Sequence, residues 1–176
     1  TTILLDVGAE YANYCSDLTR VIPVSGRFTI RQQAVYQAVL RIMRQAQQML
    51  VVGNDLNMYH QALVEVIEKE LIDLGLLSWE DIKHQDPKNP AYKKYFMHGV
   101  SHHLGLNVHD VGNIYQKFKP GMVFTIEPGI YIREEGLGIR LENNYVIREQ
   151  GLENLMEHIP IELDEIEELM QQRRLD

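Results

Sequence analysis

The period of the apolar positions changes along the chain, and each change predicts an element. Ile3 to Val7 is an apolar run closed by Gly8, which predicts a short buried strand. Tyr14 to Val24 alternates loosely and is rich in Thr, Val and Ile. It predicts a second strand, paired with the first through a turn over Ala9–Asn13 and ended by Pro23 and Gly26. The spacing then lengthens to that of a helix. Val35, Val39, Ile42, Ala46 and Met49 recur at helical intervals behind Thr29, which has the capping-box spacing with Gln32, and Gly53 is the expected C-terminal cap. A second helix is expected from about Asn57, with Leu63, Ile67, Leu71 and Leu74 on one face and Gly75 as its stop.

Ser78 to Tyr95 holds Pro87, Pro90 and many charges and reads as loop with one short helix. His98 to Asp110 is a Gly/His-rich loop, and Met122–Ile126, Gly129–Ile132 and Ile139–Ile147 read as three short strands. Glu162 to Gln172 reads as a closing amphipathic helix with Leu163, Ile166, Leu169 and Met170 inward. Strands, helices, strands, helix in that order predict an α+β domain with a largely antiparallel sheet and helices on one face.

Composition narrows the classes of function. A chain of 176 residues, 45% hydrophobic and 24% charged, fits one domain with a real core. A net charge of −8 argues against a phosphate-backbone partner, so nucleic acid is not expected. Cys15 is the only cysteine, so no internal disulfide can form. No apolar run reaches the length of a membrane span and no signal pattern opens the chain, so no membrane partner is expected and a cytoplasmic location is.

The chemistry lies in acidic residues that interrupt apolar strands. Asp6 and Asp17 sit on the two arms of the first hairpin, where facing side chains can share one ion. Glu127 breaks the run MVFTIEPGIYI, and Glu142 sits in GIRLENNYVI. A carboxylate there needs a partner: a metal ion, or a basic residue such as Arg140. In HGVSHHLGLNVHD, four histidines (His98, His102, His103 and His109) fall within a dozen residues, with glycines that let the loop turn sharply. His60, His84 and His158 lie apart and read as ordinary surface residues. Four carboxylates in one place repel one another unless cations neutralise them. Two divalent ions roughly 3.5–4 Å apart would do so and would activate water and polarise a carbonyl. An oxygen-rich set with one imidazole suits Mn²⁺, Co²⁺ or Fe²⁺, with Zn²⁺ also compatible.

LLDVGAEYANYCSDLTRVIPVSGRFT resembles the aspartate-ligand hairpin of the pita-bread metallopeptidases, and of aminopeptidase P in particular. HGVSHHLGLNVHDVG resembles that family's histidine loop, and FTIEPGIYI and GIRLENNYVI resemble its two glutamate strands. The match runs from Thr1 to about Pro160. The resemblance implies the partial pita-bread (creatinase/aminopeptidase) fold, with a curved, largely antiparallel sheet. It implies that Asp6 binds one ion, that Asp17 and Glu142 bridge two, and that His102 and Glu127 bind the other, with Mn²⁺ the expected metal. Glu127 would also handle the proton of the attacking water, His109 would help stabilise the tetrahedral intermediate, His98 would assist binding, and Arg140 would orient the carboxylates.

The reaction implied is release of an N-terminal residue that precedes proline, from peptide substrates beginning Xaa-Pro. Prolidase action on Xaa-Pro dipeptides is the near alternative, and a non-catalytic binding module the distant one. Asn107 stands where the family commonly has Asp. The resemblance further implies that residues 1–176 form the C-terminal part of a catalytic domain whose upstream part, with another substrate-contacting histidine, is absent, as is a separate N-terminal domain. The apolar surface thereby left uncovered predicts self-association to a homo-oligomer.

Overall fold

The computed structural model describes residues 1–172. The chain opens with β1 (Thr2–Val7), a small hairpin of β2 (Glu10–Tyr11) and β3 (Tyr14–Cys15), and β4 (Leu18–Pro23). β1 and β4 pair antiparallel, with Asp6 opposite Thr19. The expected single strand from Tyr14 to Val24 is therefore broken, at Ser16–Asp17. There Ser16 N–H donates to Ala9 O and Asp17 N–H to the Asn144 side chain, so neither continues a ladder. Nor is β1 buried. It has a partner on one edge only, and Ile3, Leu5 and Val7, which share one face by the two-residue repeat, are 44%, 41% and 53% exposed.

Helix α1 (Ile30–Met49) begins as expected. Thr29 accepts from Gln32 N–H while Gln32 Oε1 accepts from Thr29 N–H. Its inward stripe includes Val35, Val39, Ile42 and Ala46. It ends at Leu50 rather than Gly53, which lies in the turn beyond at φ +88° with its N–H drawn to Phe118 O. Helix α2 (Leu56–Asp73) packs on α1 through Leu63, Ile67 and Leu71. Its cap is Asp55, which accepts from Met58 N–H and pairs with Lys117 at 2.7 Å. Gly75, at φ +71°, follows the C-cap Leu74. The Pro-containing stretch holds α3 (Trp79–Lys83) and a 3₁₀ turn at Ala91–Lys94.

The second half supplies β5 (Val123–Ile126), β6 (Gly129–Ile132), β7 (Leu137–Arg140), β8 (Asn143–Arg148), β9 (Gly151–Asn154) and α4 (Leu163–Gln172). β5, β8 and β9 form one antiparallel ribbon and β6–β7 another. The run Ile139–Ile147 is two strands rather than one, because the chain changes partner in the middle. Leu141 N–H donates to Pro128 O, and Glu142 N–H then donates to Thr19 O, joining the later ribbons to β4. The ribbons form a largely antiparallel layer, with α1 packed on β5, β6 and β7. In α4, Leu163 and Ile166 are buried, but Leu169 is 47% exposed, rotated off the stripe that 163, 166 and 170 define. Among the described residues no helix is long and apolar enough to cross a membrane.

Candidate metal centre

The change of partner at Glu142 is what assembles the site. Asp17 lies just before β4, diagonal to Asp6 across the β1–β4 pair, and the Glu142–Thr19 bridge sets Glu142 beside both. The histidine loop is laid along β5. Glu127 N–H donates to Val100 O at 2.7 Å, Thr125 N–H to His102 O at 3.0 Å, and His102 N–H to the buried Thr125 hydroxyl at 3.2 Å. Residues far apart in sequence thus converge into three overlapping groups: Asp6, Asp17 and Glu142; His102, Glu127 and Glu142; Asp17, His102 and His109. In each, one possible ligand atom per residue lies within 4.8 Å of the others.

The protons make this arrangement unfavourable by itself. His102 Nδ1 lies 2.9 Å from the carbonyl oxygen of His103, which can only accept, so Nδ1 carries the hydrogen and Nε2 is a bare lone pair. That lone pair is buried without a hydrogen bond, 3.6 Å from Asp17 Oδ2 and 3.5 Å from Glu127 Oε1. Those are acceptors as well, and too distant for a hydrogen bond. Glu142 Oε2 takes the Thr19 hydroxyl at 2.7 Å, while Oε1 is buried with no partner. Acceptors facing acceptors in a dry place repel, and cations between them would reverse the sign of every contact.

The carboxylates record this crowding. Burial first, then the neighbouring Glu127 and Asp17, pushes Glu142 up to about 8. Burial lifts Glu127 to about 7, helped by Asp17 and Asp6 and opposed by Arg140. Asp17 is raised by burial and by Asp6, and His102 is lowered chiefly by burial. Four carboxylates and one imidazole with unsatisfied buried atoms fit divalent cations.

The sequence of residues 1–149 matches the model of Metallopeptidase family M24. The chain belongs to family M24. It is 38% identical to the Xaa-Pro aminopeptidase of Haemophilus influenzae over 183 residues, covering 96% of this chain and 41% of that protein. It superposes on Pseudomonas aeruginosa aminopeptidase PepP with a TM-score of 0.90 at 38% identity, covering 99% of this chain and 42% of that one. A variant of Escherichia coli aminopeptidase P in complex with substrate gives 0.90 at 35% identity, with the same coverage. The fold is therefore the α+β pita-bread fold of aminopeptidase P. This M24 chain spans about two-fifths of the length of these relatives.

Around the ligand set, the M24 chain carries a hydrogen-bonded frame. Arg140 donates through Nη2 to Asp6, through Nε to Thr19 Oγ1 at 3.1 Å, and through Nη1 to Tyr131 Oη at 3.2 Å. Its carboxylate partner is thus Asp6 rather than Glu142, which it reaches through Thr19. Tyr131 in turn donates to His98 Nε2 at 2.8 Å, because His98 Nδ1 is committed to Gly99 O at 2.7 Å. His98 stands outside the three ligand groups. His109 is exposed, edge-on to His102 with ring centroids 4.2 Å apart.

Sequence reasoning passed over Tyr131, Thr19, Asn144 and Arg20. Tyr131 lies flat against two glycines: a Cβ on Gly129 would come within 2.5 Å of its hydroxyl, and one on Gly138 within 3.0 Å of its ring. Asn144 accepts from Asp17 N–H at 3.0 Å and donates to Asp17 O at 2.6 Å, clamping that ligand's backbone to β8. Buried Arg20 donates to Glu142 O at 2.7 Å, Asn143 Oδ1 at 2.7 Å and Pro160 O at 2.7 Å. The available signal was the one that revealed the glutamates, a polar residue inside an apolar strand.

Proposed function

We propose that this chain is the metal-binding part of an Xaa-Pro aminopeptidase, a hydrolase that releases the N-terminal residue from peptides with proline in second position. The observation that carries the reading is the bare, buried Nε2 of His102 facing Asp17 and Glu127, with the orphaned Oε1 of Glu142 beside it. Asp6 would hold one divalent ion, His102 and Glu127 the other, and Asp17 and Glu142 would bridge them, Mn²⁺ suiting this set with Co²⁺, Fe²⁺ or Zn²⁺ also compatible. When bound, such a pair lowers the pKa of water and polarises the scissile carbonyl.

The chain's own groups do the rest. Glu127, which faces His102 Nε2 across the site, would take the proton of the attacking water and return it to the leaving nitrogen. That nitrogen belongs to a tertiary amide with no hydrogen, so binding relies on shape rather than on a donor at that atom. His109, exposed beside His102, can donate to the oxygen on which charge develops. His98, steered by Tyr131, lines the approach to the leaving side. Arg140 holds Asp6 and, through Thr19, Glu142 in place for ion binding.

The test is Mn²⁺ titration calorimetry on this chain with Glu142→Ala beside it. Two ions bound, with at least one lost in the variant, is the expected result. Binding that is unchanged in Glu142→Ala overturns the ligand assignment. In the intact enzyme, turnover of Xaa-Pro-Yaa but not of Xaa-Pro separates this reading from prolidase. The uncovered apolar row of β1 supports reading residues 1–176 as the C-terminal part of a larger catalytic domain, and we propose that the chain alone self-associates through it. A monomer by sedimentation at high concentration would refute self-association.

A further inference from the structure

His109 is carried by a stretch with little apolar core of its own. Leu106 and Val108 are 70% and 40% exposed, and Asn107 and His109 are exposed as well. The His109 ring nevertheless stands edge-on to His102, with one of its nitrogens within 4.8 Å of possible ligand atoms of Asp17 and His102. An exposed, glycine-containing loop gives up much conformational freedom to hold one such position, and apolar burial does not offset that loss here. The offset has to be polar.

Asp110 supplies it. Its Oδ1 accepts from Val111 N–H at 2.9 Å and from the Asn107 amide at 3.4 Å, and its Oδ2 accepts from Leu106 N–H at 3.2 Å. Hydrogen bonds to an ionised acceptor are stronger than those between neutral groups. The backbone N–H of Asp110 donates to His103 O at 3.0 Å and closes the loop at its base. The carboxylate thus fills the inside of the turn made by residues 103–111. Gly105 is buried against it: a Cβ there would come within 2.1 Å of Asp110 Oδ2, so a side chain at this position would push the carboxylate out. At the base, a Cβ on Gly112 would come within 2.0 Å of the His103 ring. On the outside, Cys15 N–H donates to Gly105 O at 2.8 Å and the Tyr14 hydroxyl to Leu104 O at 3.0 Å, tying the loop to β3. His103 O is a shared point. It accepts from Asp110 N–H and also from His102 Nδ1, so the closure of the loop falls on the carbonyl that fixes the His102 tautomer.

We propose that Asp110 is a positioning residue, whose carboxylate organises the 103–111 loop and thereby sets the His109 ring against His102. It stands outside the three ligand groups and acts through His109. Its effect on turnover rests on the peptidase reading above, in which His109 meets the developing charge. The placement of the ring does not.

The test is a double-mutant cycle in the intact enzyme with an Xaa-Pro-Yaa peptide, together with NMR of the same proteins stripped of metal and labelled in the histidine ring nitrogens. Asp110→Asn keeps the shape but turns one acceptor oxygen into a donor facing the loop's own donors. It should lower kcat about 10–100-fold, the usual cost of losing an orienting partner. KM should be nearly unchanged, because His109 acts in the transition state. In the His109→Ala background the same substitution should cost less than about twofold, since the group it acts through is gone. In the metal-free spectra the His109 signals, identified by their loss in His109→Ala, should shift in Asp110→Asn. Those of His98, held by Gly99 and Tyr131, should stay in place. Full kcat in Asp110→Asn, equal losses in the two backgrounds, or unmoved His109 signals overturns the proposal. Should Asp110→Asn fail to fold, the milder Asn107→Ala, which removes one donor to the carboxylate from an exposed position, decides by whether the His109 signals shift or stay. If the wild-type enzyme leaves Xaa-Pro-Yaa uncleaved, the peptidase reading falls, and the spectra alone decide whether Asp110 places His109.

Discussion

Raising the pH should destabilise the metal-free chain across the range where most proteins are indifferent. Glu142 and Glu127 ordinarily ionise near 4.5 but are held at about 8 and about 7 in the fold. A carboxyl whose native value is raised binds more protons folded than unfolded. Its contribution is therefore fully present below 4.5 and is lost as pH rises through the native value. Four histidines, His60, His98, His102 and His103, are shifted below 6.5, and above that pH they are neutral in both states and drop out. Between about pH 6.5 and about pH 8.5, at about 1.4 kcal/mol per pH unit for each fully coupled proton, the two glutamates together cost about 2–3 kcal/mol.

For a domain of this size that corresponds to a fall of about 5–10 °C in Tm. Urea unfolding of the chelator-treated protein at the two pH values measures it. Glu142→Gln, which keeps the shape but cannot ionise, should remove most of the slope. With Mn²⁺ bound the dependence should vanish or change sign, because ligands must be deprotonated to bind. A metal-free chain whose midpoint is flat or rises over this range would refute the picture of Glu127 and Glu142 held protonated by their surroundings in the metal-free fold.

Asn144→Asp replaces the donor to Asp17 O by a second acceptor in a buried position. It should weaken Mn²⁺ binding roughly 10–100-fold by calorimetry, as loss of a group orienting a ligand does elsewhere. Gly129→Ala puts a methyl where the Tyr131 hydroxyl lies. It should cost about 1–3 kcal/mol in urea unfolding, and the His98 ring signal should shift in the NMR spectrum as its hydrogen bond to Tyr131 breaks. Arg20→Met leaves several buried acceptors without a donor and should destabilise by about 3 kcal/mol or more, read by the same unfolding.

The residues that converge on the site could be picked out of the sequence because each is an oddity in its surroundings. Asp6, Glu127 and Glu142 are charges in apolar strands, and His102 belongs to a dense histidine cluster with glycines. What could not be read was where the strands break. Nothing in LTRVIPV or GIRLENNYVI announces that the chain changes partner at Asp17 and at Glu142, because those breaks are imposed by hydrogen bonds that these residues donate to Asn144 and Thr19, more than a hundred residues away in the chain. The same holds for Gly53, a good local candidate for a helix cap that is claimed instead by Phe118 O. β1 was read as buried because it is apolar, yet burial depends on what lies against its second face, which is a property of the assembly and not of the strand.

The guanidinium of Arg20 reaches past the end of the match to the family model. The match to family M24 ends at residue 149, yet Arg20 holds Pro160 O in the same grip as the backbone of Glu142. The final stretch is thereby stapled to the peptide that carries a candidate bridging ligand. Anyone trimming this chain for expression, or grafting the centre onto another scaffold, should carry the boundary beyond Pro160. A cut at residue 149, where the family-model match ends, would leave a buried cation short of acceptors one residue from that ligand's hydrogen-bond partner, Thr19.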